Sequence, residues 1–253
     1  MQNSLLRSPR TWRVVVLLAL ALIPLRPAVA RGPAAPPAVW PPPPDRARIE
    51  YAGQLAGPRD FTGGLWKRLG VFAAGSGSRE NMVKPTAIAV SADGRRVFVL
   101  DAVRVAVLTF DLVARRVTTL ALASLPNGPT APFGLALGRD ETLYVTDQAS
   151  HSVAALISGR VALQIGREQL TRPVGCAIDT ARRLLYVVDS PGGRDATHRV
   201  AVFDLGGRFL RWIGGRGTEA GRFNYPTYVA TDAGGDVYVV DTLNWRVQVF
   251  DAE

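Results

Sequence analysis

The sequence is poor in the residues from which many chemical sites are built. Its 253 residues include one cysteine, Cys176, and two histidines. A single cysteine excludes a disulfide framework and every zinc or iron–sulfur site that needs several thiolates. The apolar run 14–25 is shorter than the roughly 18–20 residues of a membrane-spanning helix, which excludes a polytopic membrane protein. With 47% apolar and 20% charged residues, the chain is not wholly disordered either.

The first thirty residues have the pattern of an export signal. Arg7, Arg10 and Arg13 precede the apolar run, and the small residues Ala28 and Ala30 follow it. This order predicts a secretory signal peptide over residues 1–30, cleaved after Ala30. An uncleaved anchor is the alternative that we favour less. We therefore expect an exported protein, periplasmic or extracellular.

Two segments separate this signal from the rest of the chain. Residues 31–47 are rich in proline and predict an extended linker, either a spacer or a docking ligand for a partner's aromatic groove, with the spacer favoured. Residues 48–84 begin with a predicted leading strand, 48–53. A short amphipathic stretch around Trp66 then predicts a cap on the folded body, which we favour over a contact with a membrane or a partner.

A net charge of +9 is typical of proteins that bind nucleic acid, but the location of the basic residues argues against this interpretation. Residues 1–30 hold four arginines and no acid, and residues 31–84 hold eight basic and four acidic groups. Residues 85–253 therefore carry 18 basic and 17 acidic groups, a net charge of +1. We expect no nucleic-acid partner.

A repeat organises residues 85–253. Segments that begin at Pro85, Pro132, Pro173 and Pro226 align, and each proline is followed 15 or 16 residues later by an aspartate. The aspartates are Asp101, Asp147, Asp189 and Asp241, separated by 46, 42 and 52 residues. Each unit reads as four short strands with Gly- and Asp-rich turns. That length and strand count are typical of a β-propeller blade, so the sequence predicts an all-β propeller.

The last repeat, YPTYVATDAGGDVYVVDTLNWRVQVFD, resembles the NHL repeat. The matching positions include Pro226, Asp241, Asn244, Arg246 and Phe250. The resemblance implies a propeller of NHL-type blades, similar to exported bacterial six-bladed proteins. Fifteen strands are predicted in the repeats, and 48–53 would be a sixteenth. Either four blades close with 48–53 as the outer strand of the last one, or about four blades of an incomplete six-bladed ring are present, which we favour.

The repeated aspartates allow two interpretations. Carboxylates in a column could bind calcium. An aspartate at a strand end also accepts N–H groups of the following turn, and in the last copy Arg246 can pair with it. We favour the second, structural role for the four aspartates and for Asn244 and Arg246, and we predict no metal site.

The loops at one end of the propeller carry the candidate binding residues. These loops hold Arg104, Arg167, Arg172, Arg194, Arg199, Arg216, Arg222, Tyr225 and Trp245. The best candidates for a binding face are Arg199, Arg216, Arg222, Tyr225 and Trp245. His151 and His198 lie there too, but both align with Trp245 at a variable position of the repeat, and a catalytic zinc would want a third ligand.

No complete catalytic set is present, and no cofactor is expected. The sequence contains no Gly-x-Ser-x-Gly elbow, phosphate-binding loop or His-Glu-x-x-His motif. The function that we favour is therefore an exported, non-catalytic scaffold that binds a protein partner of the cell envelope, or another ligand, through its loop face. The alternative is a metal-assisted lyase or a lactonase-like hydrolase with a site in the propeller channel.

Overall fold

The computed structural model describes residues 39–40, 49–50, 55–57, 81–193 and 196–251. The chain divides into two compact units, Met1–Gln54 and Leu55–Glu253. In the first, β1 (Val39–Trp40) pairs with β2 (Ile49–Glu50) in an antiparallel two-stranded sheet. The signal peptide and the stretch around Trp66 lie outside the described residues. No helix among the described residues is long and apolar enough to cross a membrane.

The second unit consists of four antiparallel sheets in chain order, which confirms the predicted all-β propeller. Blade 1 contains β3 (Pro85–Val90), β4 (Arg96–Asp101), β5 (Ala106–Asp111) and β6 (Arg116–Ala121). Blade 2 contains β7 (Pro132–Leu137), β8 (Leu143–Asp147), β9 (Ser152–Ile157) and β10 (Arg160–Ile165). Blade 3 contains β11 (Pro173–Asp179), β12 (Leu184–Asp189), β13 (Arg199–Asp204) and β14 (Phe209–Gly214). Blade 4 contains β15 (Pro226–Thr231), β16 (Val237–Asp241) and β17 (Arg246–Phe250).

Blade 4 has three strands among the described residues, one fewer than each of the other blades. Residues 48–53 stay the predicted fourth strand of a closed ring. Of these residues the structure describes Ile49–Glu50, which pair with Val39–Trp40. The six-bladed ring stays a prediction.

The blades pack face to face through alternate residues of their second strands. In β12, Tyr186 and Val188 contact Val237 and Val239 of blade 4, while Leu185 and Val187 point back toward blade 2. The same alternation appears in β8, where Leu143 and Val145 pack toward blade 1 and Tyr144 packs toward blade 3. Because successive side chains of a strand point to opposite faces, a strand between two blades must be apolar on both. This explains the largely apolar sequences LYVT of β8 and LYVV of β12.

The first strands approach each other most closely around the central channel. Thr146 Oγ1 accepts the Gly134 N–H (2.7 Å) and donates to the Val174 carbonyl (2.6 Å), which joins blades 2 and 3. Gly175 stands against blade 4, where an added Cβ would lie 2.7 Å from the Thr227 carbonyl oxygen. Small residues at these positions thus let backbones of neighbouring blades meet.

Replacing Gly175 by alanine should destabilise the propeller. The added methyl group would contact backbone atoms of β15 that cannot move independently, so we expect a loss of about 1–3 kcal/mol in the free energy of unfolding. Urea denaturation of the variant measures it. The matched control is Gly192→Ala, where an added Cβ meets no atom within 4 Å. Equal destabilisation by the two substitutions would contradict this packing argument.

Candidate functional site

The repeated aspartates lie at the loop end of the propeller, opposite the repeated prolines. Each proline that opens a first strand is the register partner of the aspartate that ends the second, as in Pro85 with Asp101 and Pro226 with Asp241. A register shift follows the proline in every blade. The spacing of 15 or 16 residues seen in the sequence is therefore the length of one β-hairpin with its turn.

Each of these aspartates connects the loop that enters its blade with the turn that leaves the second strand. Asp147 accepts the N–H groups of Thr130 (3.1 Å) and Ala131 (2.6 Å) from the preceding loop and of Ser150 (3.2 Å) from the following turn. Asp189 binds the N–H groups of Thr171 (2.9 Å) and Arg172 (2.7 Å) in the same way. All four aspartates are at most 2% exposed.

The last repeat adds side-chain donors to this pattern. Asp241 accepts hydrogen bonds from Asn244 Nδ2 (2.9 Å), Arg246 Nε (2.9 Å) and Gln248 Nε2 (3.0 Å), besides the Asn224 N–H (2.6 Å). Its two carboxylate oxygens are thus surrounded by donors rather than by other oxygens. Such contacts are typical of residues with a structural role, as predicted for Asp241, Asn244 and Arg246.

The electrostatics of Asp101 fit the same picture. Burial by itself would raise the pKa of this carboxyl, but hydrogen bonds from the N–H groups of Val83, Arg104, Lys84 and Val103 outweigh it, so the pKa lies below its usual value. Backbone N–H groups thus stabilise the ionised carboxylate of Asp101, and the guanidinium of Arg104 lies 3.9 Å from it. Among the described residues, no three His, Cys, Asp or Glu side chains are grouped so as to hold a metal ion.

The two histidines differ although they precede the third strand of their blades in the same way. His151 is exposed, has a φ of 52°, and donates from Nδ1 to the Thr171 carbonyl. His198 is fully buried. Its Nδ1 accepts the Tyr225 N–H (3.2 Å), its Nε2 donates to the Pro191 carbonyl (3.3 Å), and its ring packs on that of Tyr225 at 4.4 Å.

This arrangement makes His198 the link between two loops of blades 3 and 4. Both ring nitrogens are used by backbone groups, and the acceptor role of Nδ1 requires the neutral ring. Burial lowers the pKa of His198, and the positive charge of Arg216 lowers it further. The sequence pattern had no signal for this role, because an alignment of loop positions does not show which side chain turns inward.

Three of the five binding-face candidates make contacts within the loops, and one of them is the half-buried Tyr225, whose ring packs on His198. Arg199 stacks on Trp212 with its guanidinium 3.4 Å from the ring centroid, lies 3.6 Å from Asp189, and donates to the Gln169 carbonyl (3.3 Å). Arg216 is exposed but donates to the Gly193 carbonyl (3.1 Å). Of the other loop arginines, Arg172 binds the Ser190 carbonyl (3.2 Å), and Arg194 lies outside the described residues.

The two remaining candidates, Arg222 and Trp245, are exposed together with Leu243, which was not among the predicted residues. Trp245 is 89% exposed, Leu243 is 47% exposed, and Arg222 is exposed on the adjoining loop. The Leu243 N–H donates to the Asn224 carbonyl (2.9 Å), and Arg246 donates to the Arg222 carbonyl (2.9 Å), so the two loops are tied together. We call Arg222, Leu243 and Trp245 the loop patch.

Trp245 lies at the end of a turn whose backbone geometry recurs in other blades. A short 3-10 turn, Thr242–Asn244, ends at Trp245, which has a φ of 55° and lies in the left-handed region. Val105 and His151 occupy the same turn position with φ values of 50° and 52°. This conformation is shared by an exposed and a core-packed side chain, since Val105 packs against the core of blades 1 and 2 whereas Trp245 is 89% exposed.

The channel between the first strands offers little chemistry. A cavity of about 280 Å³ lies there, lined by Thr86, Ala87, Ile88, Gly134, Leu135, Gly175, Cys176, Tyr228 and Val229. Tyr228 Oη donates across it to the Thr86 carbonyl (3.0 Å). Burial raises the pKa of the Cys176 thiol to about 12, so the thiol stays protonated and is not a nucleophile at neutral pH.

Comparison with known proteins bears out the repeat. Residues 223–250 match the family model of the NHL repeat. The structure is similar to a structural genomics protein of unknown function from Bacteroides thetaiotaomicron VPI-5482 (TM-score 0.52, 16% identity, 66% of this chain and 47% of that chain). It is also similar to a chain of a nidogen/laminin complex (0.50, 22%, 68% and 60%) and to a streptogramin B lyase (0.50, 12%, 66% and 54%).

These likenesses show the fold alone, because the identities are low. The chain spans about half the length of the solved structures that it matches, 47% to 60% in these three.

The buried neutral His198 should make stability depend on pH. Its pKa is lower in the folded state, so the unfolded chain binds the proton more readily, and stability that is present above the ordinary pKa of about 6.5 is lost as the pH falls below it. We expect the melting temperature to fall between about pH 7 and pH 5 more steeply in the wild type than in His198→Gln, which retains a donor and an acceptor but does not titrate.

The control for this prediction is His151→Gln, which removes the exposed histidine. That variant should keep the pH dependence of the wild type. Equal slopes for wild type and His198→Gln would show that another group is responsible.

Proposed function

We propose that this β-propeller, whose last repeat matches the NHL family model, is an exported, non-catalytic scaffold that binds a protein partner through the loop patch. The observation that carries the proposal is the exposure of Trp245 on a turn that the buried Asp241 network holds in place. Tryptophan and arginine are the residue types most often found at the energetic centres of protein interfaces. A rigid turn that presents both loses little conformational entropy on binding.

Charge around the patch supports a partner with an acidic surface. The aspartates nearby are buried and paired, so they contribute little to the surface. At this end of the propeller, the exposed charged groups of the described loops are Lys84, Arg167, Arg172, Arg216 and Arg222 against Glu168 and Glu219. Such a positive excess favours acidic surfaces and increases the rate of encounter.

Two solved structures of similar fold correspond to the proposed function and to its alternative. One is a chain of a nidogen/laminin complex, and the other is a streptogramin B lyase. A metal-assisted site needs donor side chains that converge. In the described residues, His198 is committed to two loops, and the channel cavity is lined by neither histidine nor carboxylate. Binding therefore has the better physical support.

Site-specific crosslinking tests the loop patch. A photoreactive amino acid at position 245, in the full chain expressed in its native host, should yield one discrete crosslinked protein. The same residue at position 113, which is 69% exposed in the turn between β5 and β6, is the matched control and should not yield that product. Combining the probe with Arg222→Ala and Leu243→Ala should reduce the yield at least about tenfold, if each side chain contributes about 1 kcal/mol or more. Equal products from both positions would refute this face.

Export is a separate part of the proposal and has its own test. Amino-terminal sequencing of the protein recovered from its native host should begin at Arg31, directly after the predicted cleavage site at Ala30. Replacing Ala28 and Ala30 by large residues should block cleavage, since the peptidase requires small side chains there. A chain recovered from the cytosol with an intact amino terminus would contradict export, and it would leave the proposed binding role of the loop patch unaffected.

A further inference from the structure

A cleft of about 290 Å³ lies between blades 2 and 3, at the end of the propeller opposite the loop end. Blade 2 contributes its turn between β7 and β8 and the beginning of β10. Blade 3 contributes its two turns at the same end, which contain Arg183 and Leu205. Blade 1 precedes this pair and blade 4 follows it, so the cleft is formed by consecutive inner blades.

The spaces between the other blades at this end are spanned by arginine side chains. Arg96 of blade 1 pairs with Glu141 of blade 2, and Arg182 of blade 3 lies against Gly235 of blade 4. Between blades 2 and 3 no salt bridge is present in the part of the chain that the structure describes. These two blades therefore leave a cleft where the other pairs of blades are joined.

The inner wall of the cleft is apolar and continues the core between the two blades. Tyr144 belongs to that core, and Ile178 and Leu205 pack against it. Ile157 and Leu163 extend the wall outward, where they are 51% and 36% exposed. Such a wall can hold the apolar body of a small molecule.

The rim of the cleft carries two arginines and one aspartate, Arg139, Arg183 and Asp140. Burial alone would raise the pKa of Asp140, but hydrogen bonds from the side chain and the N–H of Thr142 and the charge of Arg183 hold it below its usual value, so the carboxylate is ionised. Neither Arg139 nor Arg183 forms a salt bridge with another described residue. With two positive charges and one negative charge, the rim favours an anion.

Tyr144 adds a further hydrogen-bond donor to the cleft. Its side chain lines the cleft and is 4% exposed. Burial raises the pKa of its phenol, and the negative charge of Asp140 raises it further, so the hydroxyl stays protonated. A phenol and planar guanidinium groups are donors that suit a carboxylate. A phosphate dianion fits less well, because Asp140 repels its second negative charge.

We propose that this cleft binds a small organic monocarboxylate, with the carboxylate group at Arg139 and Arg183 and the aliphatic body on the wall of Ile157, Leu163 and Leu205. The volume lies at the lower end of the range of ligand pockets, about 300–1,000 Å³, and this limits the ligand to a short chain. The proposal is independent of the loop patch, which lies at the other end of the propeller.

Calorimetric titration of the full chain with octanoate tests this site. Octanoate should form a one-to-one complex, and Arg139→Gln and Arg183→Gln should each weaken its binding about tenfold, because each removes a charge-assisted hydrogen bond. The matched control is Arg208→Gln, since Arg208 lies in a turn of blade 3 at the same end but pairs with Asp204 and does not line the cleft. This variant should bind octanoate like the wild type. Ala162→Trp, which places a large side chain in the cleft, should abolish binding.

Octanamide and octyl phosphate test the choice of head group. Both should bind at least about tenfold more weakly than octanoate, since the first lacks a charge and the second carries an additional one. Equal or tighter binding of either compound overturns the assignment of a monocarboxylate. A lack of saturable octanoate binding overturns the proposal, as when a segment of the same chain fills the cleft, and so does binding that the arginine variants leave unchanged. Circular dichroism establishes that every variant is folded.

Discussion

The buried aspartate at the end of each second strand is the interaction on which the propeller depends. It accepts N–H groups from the residues just before the first strand and, in blades 1 and 2, from the turn after the second, so one carboxylate joins loops that are 15 or more residues apart in sequence. Proline at the start of the first strand has no N–H to donate, and in blades 1 to 3 the two N–H groups before it bind the aspartate, whereas in blade 4 the Tyr225 N–H binds His198 instead. Burying a charge in this way is tolerable because donors surround it.

The shape of the loop face follows from this constraint. Loops that are tied to a buried carboxylate at fixed points can vary only between those points, which is where Leu243 and Trp245 lie. The third blade shows the other use of the same freedom, since its longer turn directs His198 inward and fastens two loops together. The same arrangement of strands and aspartate thus allows one repeat to expose a loop side chain and another repeat to bury it. Such variable loops on a constant scaffold are common in proteins.

Periodic features of this fold were accessible from the sequence, and features that depend on side-chain direction were not. The Pro–Asp spacing predicted the hairpins, and the apolar second strands predicted burial on both faces, because both follow from strand geometry. Arg199 stays a predicted binding residue, and its stacking on Trp212 is a contact that a single sequence does not show. Leu243 was missed because an exposed leucine in a turn has no distinct pattern. The pairing of Ile49–Glu50 with Val39–Trp40 was missed because two-residue strands carry almost no periodicity.

Repetition also determines how consecutive blades bury each other. Each repeat places apolar residues at the same positions, so one side of a blade is covered by a surface like its own other side. In blade 3, Tyr186, Val188 and Val202 are fully buried by such a cover. Because fully burying a valine contributes about 1.5–3 kcal/mol, the contact between consecutive blades is a main source of stability, and the repeated sequence supplies it again at every step of the array.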